Sequence, residues 1–333
     1  MKIAVLAPIA WRTPPRHYGP WEQVASNLAE GLHEAGMEVT LFATGDSITV
    51  GDLQSVVQRG YEEDRSLDVK VVECLHISNL MEQAGRFDLI HNHFDFLPLT
   101  YSKLIDTPMV TTIHGFSSER ILPVYKKYNA HTHYISISKA DRHPDLDYLG
   151  TVYNGLNTQD FTFNAQPDDY LLYFGRIHPD KGTAEAIVIA QKSRRKLLIA
   201  GLIQDEQYFN NCIRPELNDD IQYIGSLGPQ ERDTLLGNAA ALLHPIHFEE
   251  PFGLSVAESM LCGTPVIAFN KGSMPELIRD KQTGFLVHDI DGAAAAVQVL
   301  NTIDRQACRH WAAQEFSKEK MVKDYLDLYQ KIL

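Results

Sequence analysis

The chain has few cysteines, no long apolar run and no excess of positive charge. Its four cysteines, Cys74, Cys212, Cys262 and Cys308, lie far apart and form no C-x-x-C pair. The usual zinc and redox spacings are therefore absent, and free thiols in a reducing cytoplasm are expected. No apolar run approaches the ~20 residues that span a bilayer, and no basic amphipathic helix supports attachment to a membrane surface. The opening "MKIAVLAPIAW" carries one lysine and a short apolar run without a small-residue cleavage pattern. It reads as a first buried strand, not a signal peptide. Thirty Lys and Arg against 43 Asp and Glu leave a net charge of -13. That excludes the broad basic face of a general nucleic-acid binder, although a local basic pocket for a phosphorylated small molecule remains compatible. There is no tandem repeat or low-complexity segment, and nothing in the pattern speaks to oligomeric state.

What is present is enough apolar material for two cores: 333 residues, 44% of them hydrophobic. Short β-branched runs recur at 3–8, 38–44, 70–75, 89–93, 109–114, 133–138 and 151–155. They lack clean alternation, which marks strands of a parallel sheet buried on both faces. "EQVASNLAEGLHEAG" between the first two has apolar residues at helical spacing and ends on Gly36, giving a βαβ unit. "LNTQDFTFNAQPDD" is polar and reads as a linker. Strand-like runs then resume at 170–176, 196–202, 221–227, 241–245, 265–270 and 284–289. Two doubly wound α/β domains follow: 1–155, and 170–303 with a helical segment 304–333 expected to pack back toward the first. Ligands of such sheets bind beyond the carboxyl ends of the strands, and two such domains facing across a cleft offer a small-molecule site.

Two strand ends carry chemistry. In "YFGRIHPDKG" (173–182), Arg176 and Lys181 follow a strand and precede a helix. A guanidinium fork, a compact ammonium and a helix N-terminus together suit a diphosphate. In "HFEEPFGLSVAESM" (247–260), a Pro-Phe-Gly corner leads into a helix whose N–H groups at 253–255 lack helical acceptors. Glu258, one turn into that helix, suits two neighbouring hydroxyls, as on a ribose. Glu250 precedes the corner, and Glu249 reads as a solvated loop acid. In the first half, "HNHFDF" (91–96) holds His91 and His93 at i and i+2. They share one side of a strand without an evident third ligand, so no metal site is expected.

The ordered set of these motifs resembles the retaining family 4 glycosyltransferases of the GT-B fold: "GRIHPDKG", then E-x7-E from Glu250 to Glu258 enclosing "PFGLSVAE", then "GTPVIAFNKGSMPELI". The resemblance spans nearly the whole chain, including "GPWEQVASNLAEGLHEAGMEVTLFAT", "TIHGF" and "NGLN". It implies that Arg176 and Lys181 bind the donor diphosphate, Glu258 the ribose, and Glu250 the donor sugar. Phe252, Gly253 and Leu254 would line sugar and phosphate with backbone, Leu227 would meet the base, and Gly19 would let the first loop approach the phosphates. His114 matches a histidine facing the donor hexose. The resemblance departs at "HYGPW", which has one glycine where two are usual, at Asn157, and at Gly115, where aspartate is common. The implied activity is retaining, metal-independent hexosyl transfer, with no cofactor, from a nucleotide-diphosphate sugar to a hydroxyl of a saccharide or other small acceptor in polysaccharide or glycoconjugate synthesis. UDP-glucose is the favoured donor. GDP-mannose, or epimerisation of a nucleotide sugar on the same fold, is the alternative. Arg12, Tyr18 and His93 are the candidates for acceptor binding, because aromatic surface and polar groups suit a sugar.

Overall fold

The computed structural model describes residues 1–116 and 118–333, and the chain divides into two compact units. The first unit is Met1–Leu156 with Lys318–Leu333, and the second is Asn157–Ser317.

In the first unit the strands are β1 (Lys2–Leu6), β2 (Glu38–Phe42), β3 (Asp52–Gln54), β4 (Leu89–Asn92), β5 (Met109–Ile113), β6 (His133–Ser136) and β7 (Tyr148–Thr151). They form one parallel sheet in the order β3-β2-β1-β4-β5-β6-β7. β1, β4 and β5 are buried on both faces apart from Lys2, as their unbroken apolar runs require. The helices are α1 (Pro20–Glu34), α2 (Val69–Met81) and α3 (Leu122–Tyr128). α1 starts at the Gly19 N-cap with proline in its first turn and buries Val24, Leu28 and Leu32 at intervals of four.

One strand expectation is corrected. Residues 70–75 lie in α2, not in a strand. The Asp68 side chain caps the helix by accepting from the Val71 N–H, and Val72, Ile77, Leu80 and Met81 are buried at spacings that fit a helix face. Val71 and Leu75 point outward, 54% and 51% exposed, so the local density of apolar residues misled where the period did not. The run at 151–155 contributes only Thr151 to β7.

In the second unit β8 (Tyr170–Phe174), β9 (Lys196–Ala200), β10 (Ile221–Tyr223), β11 (Ala241–His244), β12 (Val266–Phe269) and β13 (Gly284–Val287) pair in the order β10-β9-β8-β11-β12-β13, all parallel. The helices are α4 (Thr183–Ser193), the single turn α5 (Glu206–Tyr208), α6 (Pro229–Asn238), α7 (Leu254–Leu261), α8 (Met274–Leu277), α9 (Ile290–Val297) and α10 (Arg305–Glu315). The chain winds outward from β8 in one direction and restarts at β11 on its other side. The carboxyl ends of β8 and β11 therefore flank the topological switch point.

The segment read as a linker belongs to this unit. Phe161 is buried. Arg309 donates to the carbonyls of Phe161 (2.9 Å) and Leu261 (2.5 Å), and Arg305 to those of Asn164, Ala239 and Gly237. Two guanidiniums thus satisfy buried carbonyls that a polar run alone leaves open. The segment 304–333 also divides: α10 lies in the second unit, whereas α11 (Lys318–Tyr329) completes the first. There α11 packs on α1, Val322 lying against Gly31 and Lys318 pairing with Glu34 at 2.7 Å. Among the described residues no helix is long and apolar enough to cross a membrane.

Candidate active site

Arg176 and Lys181 lie on the loop that leaves β8, and Glu250, Phe252, Gly253 and Leu254 on the loop and helix that follow β11. Because β8 and β11 are neighbours in the sheet, residues 69 positions apart meet. Lys181 Nζ donates to Glu250 Oε2 at 2.6 Å, with both side chains about 15% exposed or less. The same ammonium lies 4.4 Å from the centre of the Phe248 ring, a cation–π contact that directs it without removing its charge. His244 Nε2 lies 3.8 Å from the same Glu250 oxygen, and burial lowers that imidazole to about 4. His244 was not singled out from the sequence; its signal was a histidine ending the apolar run 241–244, one strand from Lys181. Arg176 is half-buried, and its guanidinium donates to Gln204 Oε1 on the loop after β9.

The Lys181 loop is possible because Gly182 sits at φ +74°, and a Cβ there would come within 1.9 Å of the Pro245 carbonyl oxygen. Only glycine permits that approach of the β8 loop to the β11 loop. Gly253 caps α7 at φ +90°, and the first-turn N–H groups of that helix follow directly on the loop from β11. Phe252 itself is buried against Phe316, and Ser273 Oγ donates to its carbonyl at 2.7 Å. The Ser273 N–H donates to the Glu250 carbonyl at 2.9 Å.

Glu249 is exposed, as a solvated acid would be, but it is not idle: its carboxylate accepts from the Gly272 N–H. The loop 271–273 thus braces both glutamates and the corner, a relationship hidden by the distance in sequence. Glu258 is 5% exposed, and its Oε1 meets Arg232 at 3.1 Å. That pairing of α7 with α6 was also not anticipated. Leu227 lies partly exposed in the loop between β10 and α6, on the β10 side of the sheet.

In the first unit His114 follows β5, and His93 follows β4, its sheet neighbour. His93 Nδ1 and His114 Nε2 are 2.9 Å apart, and the His114 ring stacks on Trp21 of α1 with centroids 5.4 Å apart and planes 21° from parallel. His91 is held by Tyr329 Oη (2.5 Å) and Thr112 Oγ1 (2.7 Å), and its ring lies 4.2 Å from that of His93. Burial lowers His91 and His114 to about 3 and His93 well below its ordinary value, so all three are neutral. His93, a candidate for acceptor binding, has no exposed surface here, and its ring packs between those of His91 and His114.

Gly19 is buried at the start of α1. Tyr18 stands edge-on to Trp11, and Arg12 Nε donates to the Pro14 carbonyl at 2.9 Å, which turns the guanidinium into its own loop. Beside them Glu22 is 3% exposed and accepts from the Trp11 N–H, with burial pushing its carboxyl up to about 7. Among the described residues no group of three or more His, Cys, Asp or Glu side chains is arranged to hold a metal ion.

A sheet switch point carrying two cations, a helix N-terminus and a carboxylate is a nucleotide-type site built on a Rossmann-like unit. Residues 157–317 match the family model for glycosyl transferases group 1, and residues 21–159 the model for glycosyltransferase family 4. The chain belongs to the family 4 glycosyltransferases and has the GT-B fold, two parallel-sheet Rossmann-like domains. It is 24% identical to the glycogen synthase of Mycobacterium tuberculosis over 95% of this chain and 90% of that one. Sucrose-phosphate synthase from Thermosynechococcus elongatus superposes with a TM-score of 0.80 at 20% identity, covering 100% of this chain and 99% of the other. HepE of Anabaena, solved in complex with UDP-glucose, gives 0.73 at 17%, covering 99% and 100%.

Proposed function

We propose that this glycosyltransferase moves a hexosyl group, with retention of configuration, from a nucleotide-diphosphate sugar to a hydroxyl of a saccharide acceptor, and that UDP-glucose is its donor. The observation that carries this reading is the gathering of Arg176, Lys181 and the α7 N-terminus at the carboxyl ends of two adjacent parallel strands. Full-length likeness to a protein solved with UDP-glucose supports the choice of donor.

In this reading the diphosphate lies against Arg176, Lys181 and the N–H groups of Gly253 and Leu254, with the Phe252 main chain beside it. Glu258, already oriented by Arg232, accepts from the ribose hydroxyls. Leu227 meets the base, and Glu250 the donor sugar. From the first unit, Gly19 approaches the phosphates and His114 meets a hexose hydroxyl, while Arg12 and Tyr18 serve the acceptor. As the glycosidic C–O bond breaks, positive charge develops on the sugar and negative charge on the departing diphosphate. Cations and N–H dipoles fixed beforehand stabilise that charge more than they stabilise the intact donor. The leaving phosphate takes the acceptor proton on the face it departs from, which retains configuration and needs neither an enzymic nucleophile nor a metal.

A thermal-shift screen against UDP-, GDP- and ADP-sugars tests the donor, since a ligand at 100 times its Kd stabilises by about 2.7 kcal/mol. UDP-glucose is expected to give the largest shift, and incubation with saccharide acceptors an α-linked product visible by NMR. Absence of a shift with every nucleotide sugar overturns the reading; a larger shift with GDP-mannose, or isomerised sugar without acceptor, replaces the donor or the reaction.

A further inference from the structure

The direct contact of two neutral imidazoles constrains where their protons sit. A hydrogen bond between His93 Nδ1 and His114 Nε2 at 2.9 Å needs one N–H and one lone pair. The other His93 nitrogen, Nε2, is buried and has no hydrogen-bond partner. If His114 donated, His93 would carry its proton on that Nε2, leaving an N–H buried without an acceptor. If His93 donates, Nε2 presents only a lone pair. An unpaired acceptor is tolerated better than an orphaned buried N–H. His93 therefore donates from Nδ1, His114 Nε2 accepts, and the single proton of His114 resides on Nδ1.

We propose that His93 is a positioning residue that locks His114 as the Nδ1–H tautomer, so that His114 offers a ligand a hydrogen-bond donor and no basic nitrogen. The remainder of the cluster serves the same end. His91, fixed between Tyr329 and Thr112, packs its ring against His93. Trp21 covers the His114 face, so the ring has little freedom to flip. Burial holds the imidazoles neutral, which keeps the tautomer, and not the charge, as the variable. This rests on the proposed function only in its last step, that the ligand is a sugar hydroxyl. The matching group on such a hydroxyl is its oxygen lone pair, and proton abstraction by His114 is ruled out.

The test is long-range proton–nitrogen NMR on the full chain with labelled histidine. At neutral pH the wild-type His114 is expected to show a protonated Nδ1 and a bare Nε2; the opposite pattern overturns the proposal without recourse to any variant. His93→Phe, which removes the donor, is expected to give a mixture of tautomers and a fall in kcat of roughly tenfold, close to one lost hydrogen bond. His93→Asn, whose side-chain N–H replaces Nδ1, is expected to restore both. An unchanged tautomer in a folded His93→Phe protein refutes the locking role. A changed tautomer with unchanged kcat leaves the lock in place and instead removes His114 from the proposed reaction.

Discussion

Lys181 Nζ donates to Glu250 Oε2 at 2.6 Å, tying the loop after β8 to the loop after β11. The contact holds a mostly buried cation between one carboxylate and the face of the Phe248 ring, while the neighbouring His244 is neutral and adds no charge. Replacing Lys181 by methionine keeps the stem and removes the charge. Turnover should fall by about 10²–10³-fold, the scale of losing one preorganised donor to developing negative charge. Steady-state release of the nucleoside diphosphate measures it. Equal losses in kcat and kcat/KM would place the contact in the transition state, and near-normal turnover would remove Lys181 from the diphosphate.

Gly182→Ala should damage the same loop by sterics alone. Its Cβ would lie 1.9 Å from the Pro245 carbonyl oxygen, a backbone atom that cannot step aside. A loss of about 1–3 kcal/mol is expected from overpacking and the left-handed backbone. Urea denaturation reads it, and an unchanged midpoint would mean that the two loops separate freely.

Tyr329→Phe should weaken the first unit. It removes the hydroxyl at 2.5 Å from His91 Nδ1 and leaves that nitrogen buried and unsatisfied. About 1–3 kcal/mol should be lost. Faster amide exchange in β4 and α11, compared with α2, would locate the effect at the His91–α11 contact, whereas uniform behaviour would argue against it.

Stability should decline on the acid side. Burial lowers His91 and His114 to about 3 and His76 and His244 to about 4, against 6.5 for the free group. Their contribution is fully present above pH 6.5 and is lost as pH falls, because only the unfolded chain takes up those protons. Glu22 acts in the opposite sense. Raised from 4.5 to about 7 by burial, it contributes stability that is present below about pH 4.5 and is lost as pH rises through 7. Asp95, raised to about 6, and Glu73, also raised, act in the same sense as Glu22. The five buried histidines with lowered values, His93 included, outnumber these three carboxyls, so the melting temperature should fall below pH 6.5. His76→Gln should flatten that slope by up to ~1.4 kcal/mol per pH unit, and Glu22→Gln should raise stability at pH 8 while changing little at pH 4. A melting temperature constant from pH 6.5 to 4 would contradict the assignment.

Much of the fold was legible because parallel strands buried on both faces must be nearly continuous apolar runs. The run at 70–75 was misleading for a physical reason: Val71, Val72 and Leu75 look like a strand over six residues, whereas the helix declares itself only over the thirteen from Val69 to Met81. β3 escaped notice because an edge strand of three partly exposed residues, Asp52–Gln54, carries no apolar signal. The polar stretch before Asp168 looked like a free linker, since the arginines that hold it lie about 140 residues away.

Local pattern by itself determined the two α/β sheets, the family, and the placing of Arg176, Lys181, Glu250 and Glu258 beside strand ends, because each depends on the period and punctuation of neighbouring residues. Only the tertiary structure decided that Lys181 faces Glu250, that Arg232 holds Glu258, that Glu249 ties down the loop at Gly272, and that His93 meets His114. Those pairings follow from strand order. β8 beside β11 and β4 beside β5 bring together groups separated by tens of residues, and no short-range pattern encodes which side chain then meets which.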